Sequence, residues 1–111
     1  MSRKLVAGNW KMNLSLPEGI SLAKEVEAQL LANPTVDVQV VLGVPFSHLT
    51  AVSHSVEGEV AVSAQDCSAN ESGAFTGEVS AMMVASTGAE YVILGHSERR
   101  EYHGEENALL A

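Results

Sequence analysis

The chain has 111 residues, 46% of them hydrophobic, enough to bury one modest core, and no shift in composition marks a second domain, so residues 1–111 are expected to form one unit. Six Lys and Arg against 14 Asp and Glu give a formal net charge of -8, which repels nucleic acid and anionic membrane surfaces and argues against both as partners. The single cysteine, Cys67, excludes an internal disulfide, no spaced Cys/His set offers a zinc site, and no run of about 18 apolar residues reads as a membrane span, so a soluble, cytoplasmic protein is expected.

Lys4 to Gly8 reads as a short buried strand. Ser15-Leu16-Pro17-Glu18 follows as a capping box with a proline in the permitted first turn, and Ile20, Ala23, Val26, Leu30 and Leu31 recur at helical spacing until Asn33-Pro34 ends the pattern. Val38 to Val44 is apolar without clean alternation, as in a strand covered on both faces, and Pro45 closes it. Ser47 is placed to cap a short helix running through Val52 or beyond.

Glu59 to Ala64 makes a third strand, followed by the small and polar stretch Cys67 to Glu78, a length of loop that usually has a task. A helix is expected from about Ser80 to Thr87, stopped by Gly88, then a fourth strand over Tyr91 to Leu94 and a further helix over Glu105 to Ala111. Strands that alternate with helices imply βα units and a parallel sheet, either an open doubly wound sheet or part of a barrel. No G-x-G-x-x-G follows the first strand and no P-loop pattern occurs, which weighs against a dinucleotide-binding open sheet.

Two polar clusters stand where the first and fourth strands end. In GNWKMN, Gly8 to Asn13, continued strand geometry would turn Asn9 and Lys11 to one side and Trp10 and Met12 to the other. That aims an amide and an ammonium at one point; the plainer alternative is a strand end with a snorkelling lysine. In GHSERR, Gly95 to Arg100, Ser97 is placed to cap a short helix starting at Glu98, which sets His96 near a helix amino end, where dipole and partial burial both favour the neutral ring. A neutral histidine can donate a hydrogen bond to a carbonyl oxygen and exchange a proton with it; the alternative is a structural histidine. Glu98, Arg99 and Arg100 read as a solvated first turn, except that two arginines there oppose the dipole and call for compensating carboxylates. Lys11, Arg99 and Arg100 are half of the six cations, a concentration suited to a small anion.

GNWKMN, the AQD segment Ala64 to Asp66, GAFTGE from Gly73 to Glu78, and YVILGHSERR followed by EYHGE together resemble the triosephosphate isomerase family over essentially the whole chain. The resemblance implies an α/β fold comprising the first four βα units of a (β/α)8 TIM barrel, with residues 1–111 as its amino-terminal half. It implies interconversion of D-glyceraldehyde 3-phosphate and dihydroxyacetone phosphate through an enediolate, in glycolysis and gluconeogenesis, with neither cofactor nor metal.

By position, Asn9 and Lys11 resemble the substrate-binding pair, Lys11 being the cation beside phosphate and developing oxyanion. His96 resembles the neutral electrophile, and Glu98 the carboxylate that pairs with Lys11. Thr76 resembles the residue that enters the neighbouring subunit of a homodimer, and Gln65 a residue of the same interface. Ala81 departs from the proline common in the family. The glutamate base, the closing lid and the phosphate grip fall in the half of the barrel beyond these four units, so the 111 residues alone are expected to be inactive. A non-catalytic half-barrel that folds by self-association or against a complementary half is the alternative.

Overall fold

The computed structural model describes residues 4–34 and 37–98. Four strands, β1 (Lys4–Asn9), β2 (Val38–Val44), β3 (Val60–Ala64) and β4 (Tyr91–Val92), form one sheet in the order β1-β2-β3-β4, and every neighbouring pair is parallel. Helices α1 (Leu16–Ala32), α2 (Leu49–Ser55) and α3 (Ala81–Ser86) occupy the three connections, as parallel neighbours require. The result is a half-barrel of βα units.

Helix α1 starts where the capping box predicts. Glu18 Oε1 accepts from the Ser15 backbone N–H at 2.9 Å and from its hydroxyl at 2.8 Å, while Pro17 occupies a position whose N–H has no helical partner. Those two bonds hold the Glu18 carboxyl below its ordinary value. Ala23 is fully buried, and Ile20, Val26 and Leu30 pack on the core beside it; Leu31, expected on the same face, is 62% exposed, because a residue one step on from Leu30 is rotated by about 100°. The Asn33 N–H bonds Gln29 O at 3.0 Å and ends the helix.

The core lies between the helices and one face of β2 and β3. Leu42, Val44, Val60, Val62 and Ala64 join Ala23, Leu49, Val52 and Val84 in a single buried cluster, and the period of two along each strand puts the even-numbered residues on that face. Val41 and Ala61 are buried on the opposite face. The strands at the two edges are far more open, and β1, expected to be buried, is not: as an edge strand with one neighbour it leaves Leu5 and Val6 54% and 55% exposed.

Two local expectations are corrected. Ser47 does not cap a helix: the chain leaves Pro45 as a 3-10 turn, Phe46–His48, α2 begins at Leu49, and the Ser47 hydroxyl instead bonds His48 Nδ1 at 2.8 Å. Strand β4 stops at Val92 rather than Leu94, because β3 ends at Ala64, opposite Val92, and the pairing closes with the bond from Ile93 N to Ala64 O. Ser80 does cap α3, its Oγ accepting from Met83 N at 3.2 Å. The expected helix over Glu105 to Ala111 lies outside the described residues.

Candidate active site

A parallel sheet brings the carboxyl ends of all its strands to one rim, which is where both polar clusters fall. Asn9 is the last residue of β1, opposite Gly43, and Trp10 N makes one more bond to Gly43 O at 2.9 Å. The strand then breaks. Lys11 takes φ 57, left-handed and uncommon for a residue with a Cβ, and its N–H is received by Asn9 Oδ1 at 2.9 Å, so the asparagine side chain supplies the turn. The strand alternation expected through Met12 is therefore corrected: Trp10 packs against the core while Met12 is 95% exposed.

Gln65, directly after β3, joins three strand ends. Its Nε2 lies 3.2 Å from Asn9 Oδ1, 2.9 Å from Lys11 O and 3.0 Å from Gly43 O, so two amide hydrogens are shared among three acceptors. This tie was not legible in the sequence, since an amide three positions past a buried valine carries no mark of what it reaches.

At the end of β4, Gly95 turns the chain at φ 63, and helical conformation begins at Ser97. The cap is His96 rather than Ser97. Its Nδ1 accepts the Glu98 backbone N–H at 3.1 Å, doing what a cap side chain does, and a Nδ1 that accepts leaves the hydrogen of a neutral ring on Nε2.

Glu98 Oε1 is 2.6 Å from Lys11 Nζ, and Oε2 is 4.0 Å from His96 Nδ1. The hydrogen bond from Lys11 holds the Glu98 carboxyl below its ordinary value, against a smaller opposing effect of desolvation. Both partners remain about half exposed, so the ammonium is open to a further anion. Asn9, Lys11, His96 and Glu98 thus meet at one rim, with Gln65 beneath them.

Thr76 stands apart from this group. The loop after β3 is closed at its base by Ser68 N to Val79 O at 2.7 Å and Ser68 Oγ to Glu78 Oε1 at 2.5 Å, and at its tip by a turn in which Glu78 N–H donates to Phe75 O. Gly77 takes φ 91 in that turn, and Thr76 beside it is exposed. Arg99, Arg100 and the carboxylates expected to compensate them lie outside the described residues. Among the described residues no group of three or more His, Cys, Asp and Glu could hold a metal ion, and no helix is long and apolar enough to cross a membrane.

A half-barrel of parallel βα units with its polar groups gathered at the carboxyl ends of the strands defines a (β/α)8-type architecture, in which that face is the site of chemistry. Comparison with known proteins narrows the class. The family model described as "Triosephosphate isomerase" matches residues 4–111, and the chain belongs to that family. Curated relatives named triosephosphate isomerase are 51% identical in Porphyromonas gingivalis and 55% identical in Bacteroides fragilis, each alignment covering 99% of this chain and 44% of the relative. A third, from Cytophaga hutchinsonii, is 52% identical over 100% of this chain and 44% of its own length. The chain therefore spans less than half the length of the curated relatives it matches.

Proposed function

We propose that this chain is the amino-terminal part of a triose-phosphate isomerase that interconverts D-glyceraldehyde 3-phosphate and dihydroxyacetone phosphate. The observation that carries the reading is the Lys11–Glu98 contact of 2.6 Å beside an imidazole whose Nδ1 is already occupied, in a chain of this family. Isomerisation removes a proton from the carbon next to a carbonyl and builds charge on the carbonyl oxygen. His96 Nε2–H is the donor to that oxygen, a role for which this enzyme family is itself the known example of a neutral histidine electrophile. Lys11 binds the phosphate dianion and offsets the charge of the enediolate, and Asn9 holds the turn that presents it.

Glu98, engaged by an ammonium and lowered in pKa, is unsuited to take the proton. The base, in this reading, comes from the part of the polypeptide that the relatives have beyond the matched region. Thr76, exposed at the tip of its loop, is the contact by which a second subunit would be engaged, Gln65 belongs to the same interface, and the working enzyme is a cytoplasmic homodimer.

The test is Lys11→Met in the complete polypeptide, assayed for triose phosphate interconversion in both directions. Losing a cation aimed at the developing charge should lower kcat by about 10²–10³-fold, the size found when one oxyanion donor is removed. Turnover within a few-fold of the parent would refute the assignment.

A further inference from the structure

Behind the loop that carries Lys11 stands a histidine that the reaction does not use. His48 ends the 3-10 turn after β2, is only 6% exposed, and has both ring nitrogens engaged. Nε2 lies 2.8 Å from the carbonyl oxygen of Leu14, 34 positions away in sequence, and Nδ1 lies 2.8 Å from Ser47 Oγ. A carbonyl oxygen can only accept, so Nε2 carries the hydrogen and donates it to Leu14.

What it grips is a strained segment. Lys11 has φ 57 and Leu14 φ 75, two left-handed residues with Cβ atoms within four positions, and such conformations persist only where surrounding structure holds them. Inside the segment, Asn13 Nδ2 bonds Trp10 O at 2.8 Å, and Gln65 holds the Lys11 carbonyl from below. Among the described residues, the bond from His48 is the hydrogen bond that ties residues 12–14 to another element. The ring itself has no slack: a Cβ built on Gly19 of α1 would meet His48 Cδ2 at 3.2 Å and Trp10 Cζ3 at 3.0 Å.

We propose that His48 is a positioning residue for Lys11: its Nε2–H, by fixing the Leu14 carbonyl, locks the segment between β1 and α1 in the left-handed path that brings the lysine ammonium to Glu98 and the rim. The kinetic part of the proposal rests on the isomerase reading; the structural part does not. His48 touches no reacting atom, and its effect passes through the backbone from Leu14 to Lys11.

The experiment compares His48→Gln with His48→Asn in the complete polypeptide. A glutamine amide reaches the place of Nε2, whereas an asparagine amide reaches only the place of Nδ1, so the first keeps the donor to Leu14 and the second loses it. Carbon-13 NMR of the Glu98 carboxyl reports the Lys11 contact directly. His48→Asn should return the Glu98 titration toward the ordinary carboxyl range, and His48→Gln should leave it low. In the isomerase assay His48→Asn should lower kcat/KM by about 10–100-fold, and His48→Gln should stay within about threefold of the parent, on the scale of loss caused by ångström misplacement.

Equal Glu98 titrations in the two variants overturn the proposal. So does finding, by nitrogen-15 NMR of the unaltered protein, that the neutral His48 ring carries its proton on Nδ1, a measurement that needs no variant to fold. A parent protein without isomerase activity would sink the functional reading while leaving the Glu98 titration to decide the positioning role.

Discussion

Gly19 offers a sharp test of how tightly the loop bearing Lys11 is packed. Replacing a glycine by alanine inside a helix ordinarily stabilises by about 1 kcal/mol, because alanine has less backbone freedom to lose. Here the added Cβ would lie 3.0 Å from Trp10 Cζ3 and 3.2 Å from His48 Cδ2, closer than ordinary van der Waals contact. Neither ring can retreat freely. Trp10 rests against the core, and His48 is pinned by its bonds to Leu14 and Ser47. Overpacking of this kind costs about 1–3 kcal/mol, so it outweighs the helix gain and leaves a net loss of about 1 kcal/mol. In a complete barrel that is a fall in Tm of about 2–4 °C. Gly58→Ala, where a Cβ meets nothing within 4 Å, is the control and should stay within about 0.5 kcal/mol of the parent. Urea and thermal unfolding of the complete polypeptide measure both; Gly19→Ala as stable as the parent, or more so, would refute the packing argument.

Glu18 and Glu98 both have carboxyl pKa values lowered in the folded state, by Ser15 and by Lys11 respectively, so each contributes stability that is present above the ordinary value of about 4.3 and lost as pH falls through the lowered one. Glu18→Gln, which mimics the protonated cap, should unfold at lower temperature than the parent at pH 7, with the difference closing in acid; a pH series of Tm that shows a constant gap would contradict the capping account. For His96, nitrogen-15 shifts of the neutral ring should show the proton on Nε2, because Nδ1 accepts from Glu98 N, and the opposite tautomer would remove the donor from the rim. Purified residues 1–111 alone should lack isomerase activity, since Glu98 is engaged by Lys11 and edge residues such as Leu5 and Val6 stand half exposed, and adding the remainder of the barrel as a separate fragment should restore some turnover. Robust turnover by residues 1–111 would mean that the base lies within them.

Fold and site differ in how much of each the residues disclose. Apolar runs and capping signals act over a few positions, so β2 over Val38–Val44 and the start of α1 at Leu16 emerge where periodicity and Glu18 put them. Lys11 shows the limit. Alternation presumes an extended backbone, and nothing in GNWKMN announces the left-handed turn that Asn9 Oδ1 supports, so alternation puts Met12 beside Trp10 when it is exposed. At GHSERR the preference of serine for caps pointed to Ser97, but the acceptor that reaches Glu98 N–H is the imidazole one residue earlier. The role of His48 and the strand-end tie of Gln65 are hidden for a different reason. Their partners Leu14 and Asn9 are distant in sequence, and the one local trace is a histidine beside Leu49 just past Pro45.

Stability alone does not account for the geometry at Lys11. A left-handed residue with a Cβ costs about 1–2 kcal/mol against the ordinary helical conformation, and Leu14 adds a second such cost three residues on. The contact that Lys11 gains in return is with Glu98, half exposed on both sides, the kind of ion pair that measurement finds to contribute little. Were the fold the only requirement, an extended exit from β1 with the lysine in solvent would serve as well. The segment is instead bent twice, fastened by Asn9, Gln65 and His48, and fixed so that its one cation faces the rim where His96 presents Nε2. Strain held by three separate side chains around an accessible ammonium suits the anion-binding role proposed for Lys11, since charge placed in advance need not be reorganised when a negative oxygen forms.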